Sequence, residues 1–202
     1  MFYFFIVTIY NVTVGDCMNI FYIHEDPIIA AKMMTNKHVV KMIIESAQLL
    51  STAHRVLDGY LDSKISSSGK RIVKCWKLNS NLDNILYSST HYNHPSSIWA
   101  RKSEENYIWL YNHFLALGNE YTYRYNKIHK TIEKLKDALK TPPVNISNEP
   151  FTPPFLALPK TYITSCSTYS SDRNMIIYRD YYISEKLKTD SDFYRFNSYI
   201  TV

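Results

Sequence analysis

Residues 38–57, HVVKMIIESAQLLSTAHRVL, constrain the fold more than any other stretch of the chain. On a helix, His38, Lys41, Glu45, Gln48 and Thr52 fall within an arc of about 80°. Val39, Val40, Met42, Ile43, Ile44, Ala47, Leu49, Leu50 and Ala53 fill an arc of about 220°. A surface helix needs an apolar stripe only about 100° wide. This helix is therefore predicted to be packed on most of its sides, with the domain built around it. His54 falls on the apolar side and reads as a core histidine, not a ligand.

The polar stripe has two uses. It can be a solvated strip in which Lys41 and Glu45 form an i,i+4 ion pair. It can also be one wall of a cleft, where a carboxylate between apolar walls has its pKa raised and serves acid–base chemistry.

The flanking sequence predicts a mainly α, single compact helical domain over 18–202, with a short N-terminal strand and a Pro-rich wrapping loop. Asn19–Ile23 is the predicted strand. Asp26 followed by Pro27 starts a helix that breaks near Thr35-Asn36, runs to Leu57 and stops at Asp58-Gly59. Ser66–Arg71 reads as a flexible basic loop, Ile72–Leu78 as a short strand or loop, and Leu82–Ser88 as a short helix. Ser96 or Ser97 is predicted to cap a helix through Arg101. Ser103 opens a long helix to Tyr125, and residues 131–140 form a basic amphipathic helix. Asp172 is predicted to cap a last helix ending near Lys188. Six of the eight prolines lie in the stretch from Pro142 to Pro159, which is predicted to wrap the surface without regular structure.

Residues 1–17 read as an N-terminal extension outside the functional chain, whose natural start is Met18. Their apolar part is too short to span a bilayer. They lack the basic region of a signal peptide, so a secreted protein is not expected. An extra edge strand is the other use of this segment. The three cysteines, Cys17, Cys75 and Cys166, are widely spaced and read as reduced thiols. The net charge of +5 fits a nucleic-acid partner without requiring one. The 18 tyrosines match a codon bias toward Asn, Lys, Ile and Tyr, which weakens any argument from their number.

Basic groups crowd Arg124–Lys140 and the last predicted helix, interleaved with aromatic rings. Such a surface can hold phosphates and stack bases, or it can be a tyrosine-rich core face beside a solvated lysine face. Glu120 and Arg124 are spaced for an ion pair. His91 and His94 lack a third ligand at a fixed spacing, so no metal site is expected. His94-Pro95 reads as a turn whose imidazole reaches a phosphate or a backbone group. No phosphate loop, dinucleotide fingerprint, zincin motif or nucleophile elbow is present, and no cofactor is expected.

The phrases NIFYIHEDP, NKHVVKMIIESAQLLSTAHRVLDG, THYNHPSSIWARKSEENY, EYTYRYNKIHK, TPP and YRDYYISEK resemble a group of short proteins of tailed phages and large DNA viruses. That resemblance spans nearly all of residues 18–188 and implies a viral protein in the cytoplasm or nucleus of an infected cell. A second resemblance is to the pyrimidine-dimer DNA glycosylases of the phage endonuclease V type. Those enzymes carry a histidine and, seven residues on, a catalytic glutamate, as His38 and Glu45 are spaced. A basic residue follows where Gln48 stands here. Their later helix has a glutamate and arginine four apart, as at Glu120 and Arg124, and their C-terminal segment is aromatic and basic, as at Tyr178–Tyr182.

The resemblance implies a DNA repair glycosylase and lyase on double-stranded DNA. Glu45 would stabilise charge at the sugar with His38 beside it. Gln48, His94, Arg101, Arg124, Lys127, Lys130, Arg179 and Lys186 would contact DNA. The nucleophile would be an α-amine, which here falls to Met18, where the family exposes a small residue. Two other readings use the same stripe: an enzyme on free nucleotides or a small metabolite, and a non-catalytic nucleic-acid-binding or host-defence-antagonist protein.

Overall fold

A computed structural model describes residues 18–66, 68–159, 162–163 and 172–200. Among them are eight helices and one hairpin: α1 (Pro27–Met33), α2 (Asn36–Asp58), β1 (Tyr60–Ile65), β2 (Ile72–Lys77), α3 (Leu82–Ile85), α4 (Pro95–Ala100), α5 (Glu104–Tyr125), α6 (Lys130–Leu135), α7 (Arg173–Glu185) and α8 (Asp190–Asn197). The fold is mainly α, as predicted. The extension or edge strand assigned to 1–17, and Cys17 and Cys166, lie outside the described residues. Cys75 is a free, buried thiol.

α2 is the axis. Val39, Met42, Ile43, Ala47, Leu49, Leu50 and Ala53 are all fully buried, against α5 on one side and α4 and α6 on others. The chain does break before it. Thr35 caps α2, its hydroxyl accepting from the His38 N–H at 3.4 Å. α1 then turns away and packs on α5. His54 is a core histidine as expected, with Nε2 2.8 Å from the Tyr107 hydroxyl.

At the far end, Gly59 lets the helix turn into the hairpin. A Cβ there would collide with the carbonyl oxygens of Arg55 and Lys77. The hairpin is antiparallel, pairing Tyr60 with Lys77 through Ile65 with Ile72. β1 was not foreseen, because its sequence YLDSKI lies mostly exposed and has no buried face to impose a period.

Several boundaries differ from the prediction for local reasons; α3 ends at Ile85, short of Ser88, where Leu86 turns extended. α4 is capped by His94, whose Nδ1 accepts from the Ser96 N–H, with Pro95 at the first helical position. Asp172 precedes α7 without a capping bond from its side chain. α6 ends at Leu135 and turns carry the chain on to Lys140. The last predicted helix stops at Glu185, and α8 begins after Thr189, which accepts from the Asp192 N–H and donates to its carboxylate. That hydroxyl cap is legible in Thr189-Asp190-Ser191-Asp192 as a threonine ahead of an acidic first turn.

The Pro-rich segment wraps as expected. Ser147 accepts from the Glu104 N–H, Asn106 brackets Thr152, and Tyr178 bridges Phe155 and Ala157. No helix among the described residues is long and apolar enough to cross a membrane.

Candidate active site

Residues 18–26 decide where the site lies. The predicted strand at Asn19–Ile23 is absent. The segment is instead a buried irregular thread, because among the described residues no sheet edge lies beside it and much of its backbone is bonded to side chains. Buried peptide groups need partners, and several here draw theirs from side chains far along the chain. Glu45 Oε2 accepts from the Asn19 N–H at 3.1 Å. Asn19 Oδ1 accepts from the N–H groups of Ile20 and Phe21, and its amide donates to Ala157 O. Ser96 donates to Met18 O, Arg179 to Ile23 O and Trp109 to Glu25 O. Phe21 is held in the left-handed region, at φ 52°, a conformation that costs an aromatic residue energy.

Glu45 is 8% exposed. Its second oxygen is 3.0 Å from Lys41 Nζ, the foreseen i,i+4 pair. The carboxylate thus bridges a solvated ammonium and the start of the buried thread. One peptide unit separates Asn19 N from Met18 N, so the Met18 nitrogen is within about 7 Å of Glu45 Oε2.

His38 lies two turns before Glu45, about 10 Å along the helix axis. Its ring stacks on Phe21 at 4.6 Å, and Nδ1 is 2.9 Å from the Tyr182 hydroxyl. That hydroxyl accepts from the Thr35 N–H. The hydroxyl still has one proton and one lone pair, so it can meet either tautomer of the His38 ring. Burial, reinforced by Lys186 and Lys41, lowers the His38 pKa to about 4. The imidazole is neutral at pH 7 and acts as a positioned, uncharged ring beside two ammonium groups.

The predicted DNA contacts separate into two sets. Lys186 joins the stripe electrostatically, since its charge and that of Lys41 both lower the His38 pKa. Lys186 also sits 5.0 Å from the Tyr181 ring. Gln48 is half-buried one turn beyond Glu45, and Lys127 and Lys130 are exposed where α5 passes to α6. Arg124 is used inside the fold. It donates to Met34 O, Lys32 O, Asn36 Oδ1 and Glu120, so all five of its N–H groups are taken. It closes the α1–α2 break. Arg179 spends its Nε–H on Ile23 O, Arg101 reaches Ser97, and the His94 Nδ1 faces backbone, not phosphate. Among the described residues no group of three or more His, Cys, Asp or Glu could hold a metal.

Arg55 went unremarked in the sequence. It is 5% exposed and donates to the carbonyls of Tyr87, Trp76, Asp83 and Leu86 and to the Asp83 carboxylate. The Leu78 N–H and this guanidinium together hold the Asp83 carboxyl below its usual range. On the helical wheel Arg55 falls at the edge of the polar stripe, about 20° from Gln48, so periodicity gives no sign of its burial. No family model matches the chain, and neither does any curated protein or solved structure.

Proposed function

We propose that the chain beginning at Met18 is a DNA-acting enzyme of the glycosylase and abasic-site lyase kind, working in an infected cell. The observation that carries this reading is the Glu45 carboxylate bonded to the Asn19 N–H, one peptide unit from the Met18 nitrogen. A primary amine and a carboxylate held that close suit attack on a sugar carbon. The Met18 amine would add to the anomeric carbon as the base departs with its bonding electron pair. Loss of water is not needed, because the ring oxygen leaves as a hydroxyl when the Schiff base forms. Abstraction of the 2′ proton then eliminates the 3′ phosphate. Glu45 would offset the positive charge that develops at the sugar. Lys41 and Lys186 would take phosphates, and neutral His38 would turn its Nε2 toward a sugar or phosphate oxygen.

The test uses both starts, Met1 and Met18, on ultraviolet-damaged and abasic duplex DNA with borohydride. A trapped adduct with the Met18 start alone is the expected result. Absence of adduct and nicking with either start rules the lyase out.

One observation favours a second reading. Arg124 is fully occupied within the fold and Arg179 spends its Nε–H there, which shortens the basic face available to a duplex. An enzyme on a free nucleotide would need only Lys41, Lys186 and the neutral histidine. A DNA affinity that changes little with salt would support it.

A further inference from the structure

The thread that meets Glu45 at one end lines a cavity of about 610 Å³ at the other. That volume falls within the range of ordinary ligand sites. Three rings wall it. Tyr22 lies 5.4 Å from Trp109 and 6.1 Å from Phe151, and Trp109 lies 6.4 Å from Phe151. Glu25, Asp26 and Asp172 add carboxylates to the same lining, which holds no Lys, Arg or His among the described residues. Asp26 also caps α1. Glu25 and Asp172 are exposed at their chain positions. Arg179 feels both of them. Such a concentration of negative charge is unexpected on a chain of net charge +5.

We propose that this cavity binds an organic cation of the alkylated-ammonium class. Aromatic faces attract cations, and an alkylated ammonium gives up its water readily because its charge is spread under methyl groups. The rings cover those methyl groups, while the carboxylates balance the charge. A small hydrated ion gains little from such walls, and a phosphate is repelled by them. The cavity is therefore separate from the DNA site proposed at Glu45, and its ligand is independent of that reading.

The packing behind Trp109 fits the same conclusion. His113 stacks on the indole at 5.2 Å, fully buried, and neither ring nitrogen has a partner among the described residues. Burial lowers its pKa to about 3. The ring backing Trp109 is thus uncharged and does not compete with a cation in front of it. Trp109 is fixed further by its N–H bond to Glu25 O.

The experiment titrates the full chain with tetramethylammonium chloride, following tryptophan fluorescence and heat, against sodium chloride at equal ionic strength. Saturable binding specific to tetramethylammonium is expected. It should weaken about tenfold in the double variant Glu25→Gln, Asp172→Asn, whose sites are exposed and whose fold is checked by circular dichroism. Trp109→Phe keeps a ring and should weaken binding by a smaller factor. A response no different from that to sodium, or binding unchanged in the double variant, overturns the proposal. Competition by a trimethyllysine peptide tighter than by free trimethyllysine assigns the cation to a protein partner. Equal competition assigns it to a free amine.

Discussion

Glu45→Gln separates chemistry from structure at the proposed active site, because its structural cost can be worked out from two contacts. Oε1 faces Lys41 at 3.0 Å, and the lysine side chain is 57% exposed. An exposed i,i+4 pair of this kind contributes about 0.3–0.5 kcal/mol. Oε2 accepts the buried Asn19 N–H. A hydrogen bond to a charged group contributes about 1.5–3 kcal/mol and one to a neutral amide about 0.5–1.5. Glutamine keeps an oxygen in place and loses the charge. Its cost should total about 1.5 kcal/mol in urea unfolding at pH 7. Glu45→Ala leaves the Asn19 N–H unpaired in a buried setting and should cost about 3 kcal/mol. If the carboxylate stabilises charge at the sugar, Glu45→Gln should lower the nicking rate of the Met18-start protein by about a hundredfold or more while it stays folded. Retention of half the wild-type rate would refute the catalytic role. A glutamine variant as unstable as the alanine variant would refute the bond-by-bond reasoning.

Three further outcomes follow from the core. Arg55→Met should cost about 3–5 kcal/mol, since it strands the Asp83 carboxylate and the carbonyls that converge on the guanidinium. Arg55→Lys should not restore the loss, because a point charge cannot reproduce the fork, and denaturant midpoints of the two variants check this. Gly59→Ala should destabilise by several kcal/mol, about as much as severe overpacking, because backbone oxygens on two sides leave no room for a Cβ; a midpoint within experimental error of wild type would contradict it. Stability should also fall on acidification below pH 6.5. His38, His54 and His113 are held neutral by burial, with pKa values near 4, 4 and 3. The unfolded chain binds these protons near pH 6.5 and the folded one does not. Each histidine thus removes about 1.4 kcal/mol per pH unit between its two values and nothing above the higher one. Unfolding free energies at pH 7, 6 and 5 measure this, and a flat profile would refute it.

Much of the architecture follows from local pattern. The wide apolar arc of α2 announces a central helix, and Thr35, Asp26-Pro27 and Ser103 mark helix starts through cap chemistry that depends only on neighbours. Thr189-Asp190-Ser191-Asp192 carried the same kind of signal for α8. The i,i+4 pairs Lys41–Glu45 and Glu120–Arg124 follow from helix geometry alone. What local pattern could not supply is the set of partners that lie far along the chain. Residues 19–23 have the composition of a strand, yet Glu45, Ser96, Trp109 and Arg179 take peptide groups along the segment 18–26, which threads the core without strand pairing. Arg124 has the composition of a phosphate contact and became a clasp on the α1–α2 break, because three carbonyl and amide oxygens converge on it there. Periodicity is set by a residue's neighbours in sequence and survives from chain to fold. The use of a buried polar group is set by which acceptors the packing delivers, and for Glu45, Arg55 and Arg124 only the tertiary structure makes that choice.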